Sequence, residues 1–106
     1  MKHDEVQLTQ EREEAWVGDA VLALFVREWI LREGGAIDGE KFTRFTSNDF
    51  LRVSGNPTRV EAEIGQVYKR DGLQAALDHI AENLLPVFKQ QEKVRERRIR
   101  SGQIKG

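Results

Sequence analysis

Apolar positions are densest between Glu11 and Leu31, in EREEAWVGDAVLALFVREWIL. From Trp16 to Leu31 only Asp19, Arg27 and Glu28 are charged, Gly18 is the sole glycine and proline is absent. A membrane span needs ~20 apolar residues, so this shorter run predicts a helix buried on most of its sides. The helix should stop at about Arg32, ahead of Gly34-Gly35. Residues 1–9 read as a frayed end or short first turn, with Thr9 a candidate cap ahead of acidic residues.

The rest of the chain repeats the helical period in shorter pieces. A second helix is expected over about Glu40 to Val53, with Phe42, Phe45, Phe50, Leu51 and Val53 as its apolar stripe. Ser54-Gly55-Asn56-Pro57 is a turn, and Pro57 suits the first turn of a third helix over about Thr58 to Arg70. Its inward face should be Val60, Ile64, Val67 and Tyr68. After Asp71-Gly72 a fourth helix runs from Leu73 to about Leu85, turning Ala76, Leu77, Ile80, Leu84 and Leu85 inward. Pro86 kinks or restarts it, a thinning stripe of Val87, Phe88, Val94 and Ile99 leads into a basic tail, and residues 101–106 should fray. No stretch alternates with period two over strand length, so the fold class is all-α. Residues 1–88 read as the helical domain and 89–106 as its basic end.

Composition narrows the chemistry. At 106 residues the chain can bury one real core. It has no cysteine, which excludes disulfides, zinc-thiolate sites and thiol nucleophiles. The amino terminus lacks the apolar core of a signal peptide, so a cytoplasmic protein away from membranes is expected. Lys89 onward holds seven Lys/Arg against Glu92 and Glu96, a net of +5, which leaves −6 on the body. That division suits a carboxylate-rich metal site beside a phosphate-seeking tail, and it suits an ordinary solvated charge run equally.

Asp19 is the residue out of place. Its neighbours at helical spacing are Ala15, Trp16, Leu22, Ala23 and Val26, none able to neutralise a carboxylate. Such a charge is paired, protonated or holding a metal. The third helix offers Glu61 in line with Thr58, Ile64, Gly65 and Tyr68, while Glu63 faces a wetter side. A mid-helix glycine costs about 1 kcal/mol relative to alanine. Gly18 beside Asp19, and Gly65 one turn after Glu61, would let these two helices approach until their carboxylates share an ion. Asp49, after Asn48, reads first as a local cap. His3 and His79 are isolated and read as no ligands. A carboxylate-only site selects a hard cation, magnesium or manganese, completed by water and substrate phosphate. That set supports phosphodiester hydrolysis.

Three stretches carry a resemblance. EAWVGDAVLALFVREWIL resembles the signature helix of the ribonuclease III family, built on a glycine-aspartate pair. RVEAEIGQVYKRDGLQAAL resembles its second motif, Glu-Ala-x-Ile-Gly-x-x-Tyr followed by an Asp-Gly turn. TRFTSNDFL resembles its Asn-Glu-x-x-Leu element, with Asp49 for the usual Glu. Together they span about Glu11 to Ile80. Two family acids are missing, replaced by Ala15 and Thr58, as in mini-ribonuclease III, the compact subgroup without a double-stranded-RNA-binding domain.

The resemblance implies a compact helical endonuclease domain, homodimeric, in which Asp19 and Glu61 ligate the catalytic magnesium. The implied function is a divalent-metal-dependent endoribonuclease cleaving double-stranded or base-paired RNA, with no small-molecule cofactor. Asn48 and Asp49 would then support the site or the interface. Arg44, Lys93, Arg95, Arg97, Arg98 and Arg100 are the candidate phosphate contacts. The alternative is the same fold kept as a non-catalytic RNA-binding or ribosomal scaffold, which Ala15, Thr58 and the acidic body favour. A dimer follows also from the residues: Trp16, Leu22, Phe25 and Trp29 on one helix offer more apolar surface than three short partners cover.

Overall fold

The computed structural model describes residues 2–104, with side chains from residue 5 onward. The expectation for His3 and the charge of Lys105 therefore lie outside the described side chains. All regular structure among the described residues is helical, as the periodicity requires. The elements are α1 (Lys2–Gly34), α2 (Gly39–Thr46), α3 (Asn48–Leu51), a 3-10 turn (Arg52–Ser54), α4 (Pro57–Asp71), α5 (Leu73–Asn83) and α6 (Leu85–Arg100).

α1 is the axis of the molecule. Its 33 residues span roughly 50 Å at 1.5 Å per residue, nearly the whole 53 Å length of the protein. The expectation of a frayed start with a cap at Thr9 is corrected: the helix is continuous from Lys2, and Thr9 is an exposed mid-helix residue. Residues 2–15 contain neither glycine nor proline and are rich in Glu, Gln, Lys and Arg, which favour helix. α1 ends where expected, at a Gly35 with φ of 72° whose N–H bonds the Leu31 carbonyl.

The expected second helix is two. Ser47 adopts extended backbone (φ −71°, ψ 151°) and breaks it. Its hydroxyl accepts the Phe50 N–H at 3.1 Å and donates to the Arg44 carbonyl at 3.0 Å, capping α3 as α2 ends. The break turns both Phe45 and Phe50 inward, with ring centroids 5.2 Å apart. Phe45 is the hub of the core: it stacks on Phe88 at 4.3 Å and meets Trp29 edge-on at 5.9 Å. Leu22, Val26, Leu51, Ile64, Ile80 and Leu84 close around this cluster.

Two expected core residues face solvent instead. Tyr68 is 40% exposed, because α4 packs along Val60, Ile64 and Val67, and Val53 is 58% exposed in the 3-10 turn. Pro86 restarts the chain: α5 ends at Asn83 and α6 begins at Leu85. α6 continues through residue 88 without a break, anchored by buried Phe88 and by the Glu92 ion pair with Arg44. No helix among the described residues is long and apolar enough to cross a membrane.

Candidate metal centre at the crossing of α1 and α4

The close approach expected at the two glycines is present. A methyl group on Gly18 would overlap the Glu61 carbonyl and lie 2.8 Å from its carbon and 3.0 Å from the Gly65 nitrogen. A methyl on Gly65 would likewise overlap the Glu14 carbonyl. The helices run antiparallel, Gly18 against Glu61 and Gly65 against Glu14, and touch backbone to backbone. Only glycine at both positions permits this approach.

Its consequence is that Asp19 and Glu61 meet. The Asp19 carboxyl stands within hydrogen-bonding reach of Glu61, a contact that two carboxyl groups can make only when one holds a proton. Burial pushes the Glu61 carboxyl up to about 8, and the hydrogen bond and negative charge of Asp19 add to the shift. At neutral pH Glu61 therefore keeps its proton in the metal-free protein. The acids differ in setting: Glu61 is half-buried, and Asp19 is exposed. This corrects the picture of Asp19 as a carboxylate sunk among apolar side chains. Leu22 and Val26 are buried on the neighbouring face of α1, while Asp19 lies on its solvent flank. Nor does an arginine neutralise it, since Asp19 takes part in none of the ion pairs among the described residues.

A pair of carboxylates is a donor set that a small hard cation could use. Two carboxylates converge, and among the described residues no group of three or more His, Asp or Glu does so. Magnesium ordinarily takes one or two carboxylates and fills its remaining positions with water and substrate phosphate. An exposed Asp19 leaves room for both. Ala15 is buried and Thr58 exposed, so neither adds a charge.

The other candidates lie apart. Asn48 and Asp49 are exposed on α3, and Asp49 pairs with Arg52 at 3.1 Å, the local role its residue type suggests. Neither bonds Asp19 or Glu61. Arg44 is held in a two-point bond to Glu92, at 2.8 and 3.1 Å. That bond raises its pKa and ties α2 to α6. Lys93, Arg97 and Arg100 are exposed on α6. Arg95 and Arg98 line a groove of about 590 Å³ floored by Phe50, Phe88 and Val94. None of these five is ion-paired among the described residues. His79 is occupied locally, its Nδ1 3.2 Å from the Asn83 amide.

Sequence reasoning passed over Glu14, the one buried charged residue among the described residues. Its position four residues before Gly18 was the available signal, because a helix face that touches a partner's backbone also covers the residue one turn away. No family model, curated protein or solved structure matches this chain.

Proposed function

We propose that the protein is a divalent-metal-dependent endoribonuclease acting on double-stranded or base-paired RNA, with Asp19 and Glu61 holding magnesium, or manganese in its place. The observation that supports it is the acid pair itself. Two carboxylates from distant parts of the chain are brought into contact at a crossing that requires glycine on both helices. A structural role alone gives no return for placing two acids together where one must keep a proton.

A cation bound there supplies Lewis acidity toward the scissile phosphate and toward water. Glu61 would give up its proton in order to ligate such a cation, and Asp19 would join it from the open flank. The basic side chains of α6, free of acid partners, provide phosphate contacts that offset the acidic body. A duplex has two strands, so this reading calls for two copies of the site. Labelled duplex RNA with and without magnesium, beside single-stranded RNA and duplex DNA, tests it. Magnesium-dependent cutting of duplex RNA that Asp19→Asn abolishes is the expected result.

One observation favours a second reading, an RNA-binding scaffold on the same fold. Glu61 already holds a proton beside Asp19, so the acids need no metal to persist. Duplex RNA bound but never cut, with no effect of magnesium on melting, would place the scaffold first.

A further inference from the structure

Leu22, Phe25 and Trp29, expected to demand a second copy, are covered within the protomer. A concavity that the protomer leaves unfilled lies elsewhere, between α3 and α6, where Arg95 and Arg98 line the groove of about 590 Å³. Small-molecule sites typically enclose about 300–1,000 Å³.

The acids on the lining of this groove are already engaged. Glu92 holds Arg44 at 2.8 Å, and Asp49 bonds Arg52 at 3.1 Å. Glu96, also on α6, does not line it. Arg95 and Arg98 remain, and neither has an acid partner among the described residues. Three residues apart on one helix, they are surface neighbours and can close on a single anion. Arg95 is half-buried, so its guanidinium has given up water without gaining a counter-charge. The end of α6 is prepared for an anion as well. A helix carboxyl end ordinarily repels negative charge through its unpaired carbonyls. Here Gly102, with φ of 80°, folds the chain back, and the N–H groups of Ser101, Gly102 and Gln103 bond the carbonyls of Arg97, Ile99 and Arg98. The same fold-back brings Ile104 into the lining.

The rest of the lining suits more than an ion. Val94 and Ile104 add apolar surface over Phe50 and Phe88, and the exposed Gln90 and Gln91 bring amides that both donate and accept. A flat ring with hydrogen-bonding edges satisfies both. We infer that this groove binds a nucleotide by its terminal phosphate, with the phosphate between Arg95 and Arg98 and the base on Val94 and Ile104. A terminal phosphate carries close to two negative charges and three free oxygens. Two guanidinium groups match it in charge and in paired hydrogen bonds. A phosphate inside a strand carries only one charge. The occupant is a nucleoside monophosphate, free or as the phosphorylated end of an RNA strand. Neither Asp19 nor Glu61 lines the groove, so the nucleotide site and the nuclease fail separately.

Isothermal titration of the full chain in magnesium-free buffer tests the site, with each nucleoside 5′-monophosphate, its parent nucleoside and inorganic phosphate as probes. At least one monophosphate should bind at a single site, about tenfold or more tighter than its nucleoside and than inorganic phosphate, since each of those lacks half of the contact. Arg95→Gln and Arg98→Gln should each weaken it about tenfold. Arg97→Gln removes the same charge from an exposed residue outside the groove and should change it by less than about threefold. Asp19→Asn should leave nucleotide binding unchanged. Single-stranded RNA with and without a 5′-phosphate separates the two sources: a phosphate-dependent gain marks the strand end, and its absence beside a bound mononucleotide marks the free nucleotide. No binding of any monophosphate, inorganic phosphate as tight as the nucleotides, an equal loss with Arg97→Gln, or a phosphorylated peptide bound more tightly than any nucleotide would each overturn the assignment.

Discussion

Replacing Gly18 with alanine tests the contact on which the site depends. The added methyl meets the Glu61 carbonyl, with its carbon at 2.8 Å and the Gly65 nitrogen at 3.0 Å. All of these are main-chain atoms, so no side chain can rotate away and α4 must shift as a body. Overpacking costs ~1–3 kcal/mol, and a rigid neighbour argues for the upper end. Alanine recovers about 1 kcal/mol of helix propensity. The net is a loss of roughly 2 kcal/mol, a fall in Tm of about 10 °C for a domain of this size. Urea unfolding should show a lower midpoint with an unchanged slope. Gly34→Ala is the control, because a methyl there meets nothing within 4 Å. The residue struck is Glu61, so Gly18→Ala should also blunt any stabilisation by magnesium, even in protein still folded at the assay temperature. A Gly18→Ala protein as stable as the original, or more so, would refute the close crossing, since propensity would then be the only term left.

The proton held by Glu61 fixes a pH dependence. Glu61 has a folded pKa of about 8, above its ordinary 4.5, so the folded metal-free state binds more protons between those values. Its contribution is fully present below about 4.5 and is lost as pH rises toward about 8. Magnesium must displace that proton, so thermal melts should show a larger magnesium shift at pH 8 than at pH 6, and an equal shift would exclude Glu61 as a ligand. Glu92→Ala strands a half-buried Arg44, and chemical denaturation should show a loss of about 1–2 kcal/mol, between the values for surface and buried pairs.

The sequence by itself determined the helices and the residues at issue. Period, caps and the Gly34-Gly35, Pro57 and Pro86 signals placed the main elements, because these are local effects of backbone geometry. It also marked Gly18 and Gly65 as costly in place, with the approach of another backbone or a ligand as one return for that cost. Tertiary structure alone decided the rest. Whether Asp19 was buried depended on which face of α1 the other helices covered, and they covered Leu22 and Val26, leaving Asp19 on the flank. The break at Ser47 was invisible because its residues carry good helical stripes on both sides, and only the demand that Phe45 and Phe50 meet around Phe88 separates them. Arg44 looked free until α6 folded back to bring Glu92 to it. That Glu61 keeps its proton is likewise a property of the crossing, since neither helix alone contains both acids.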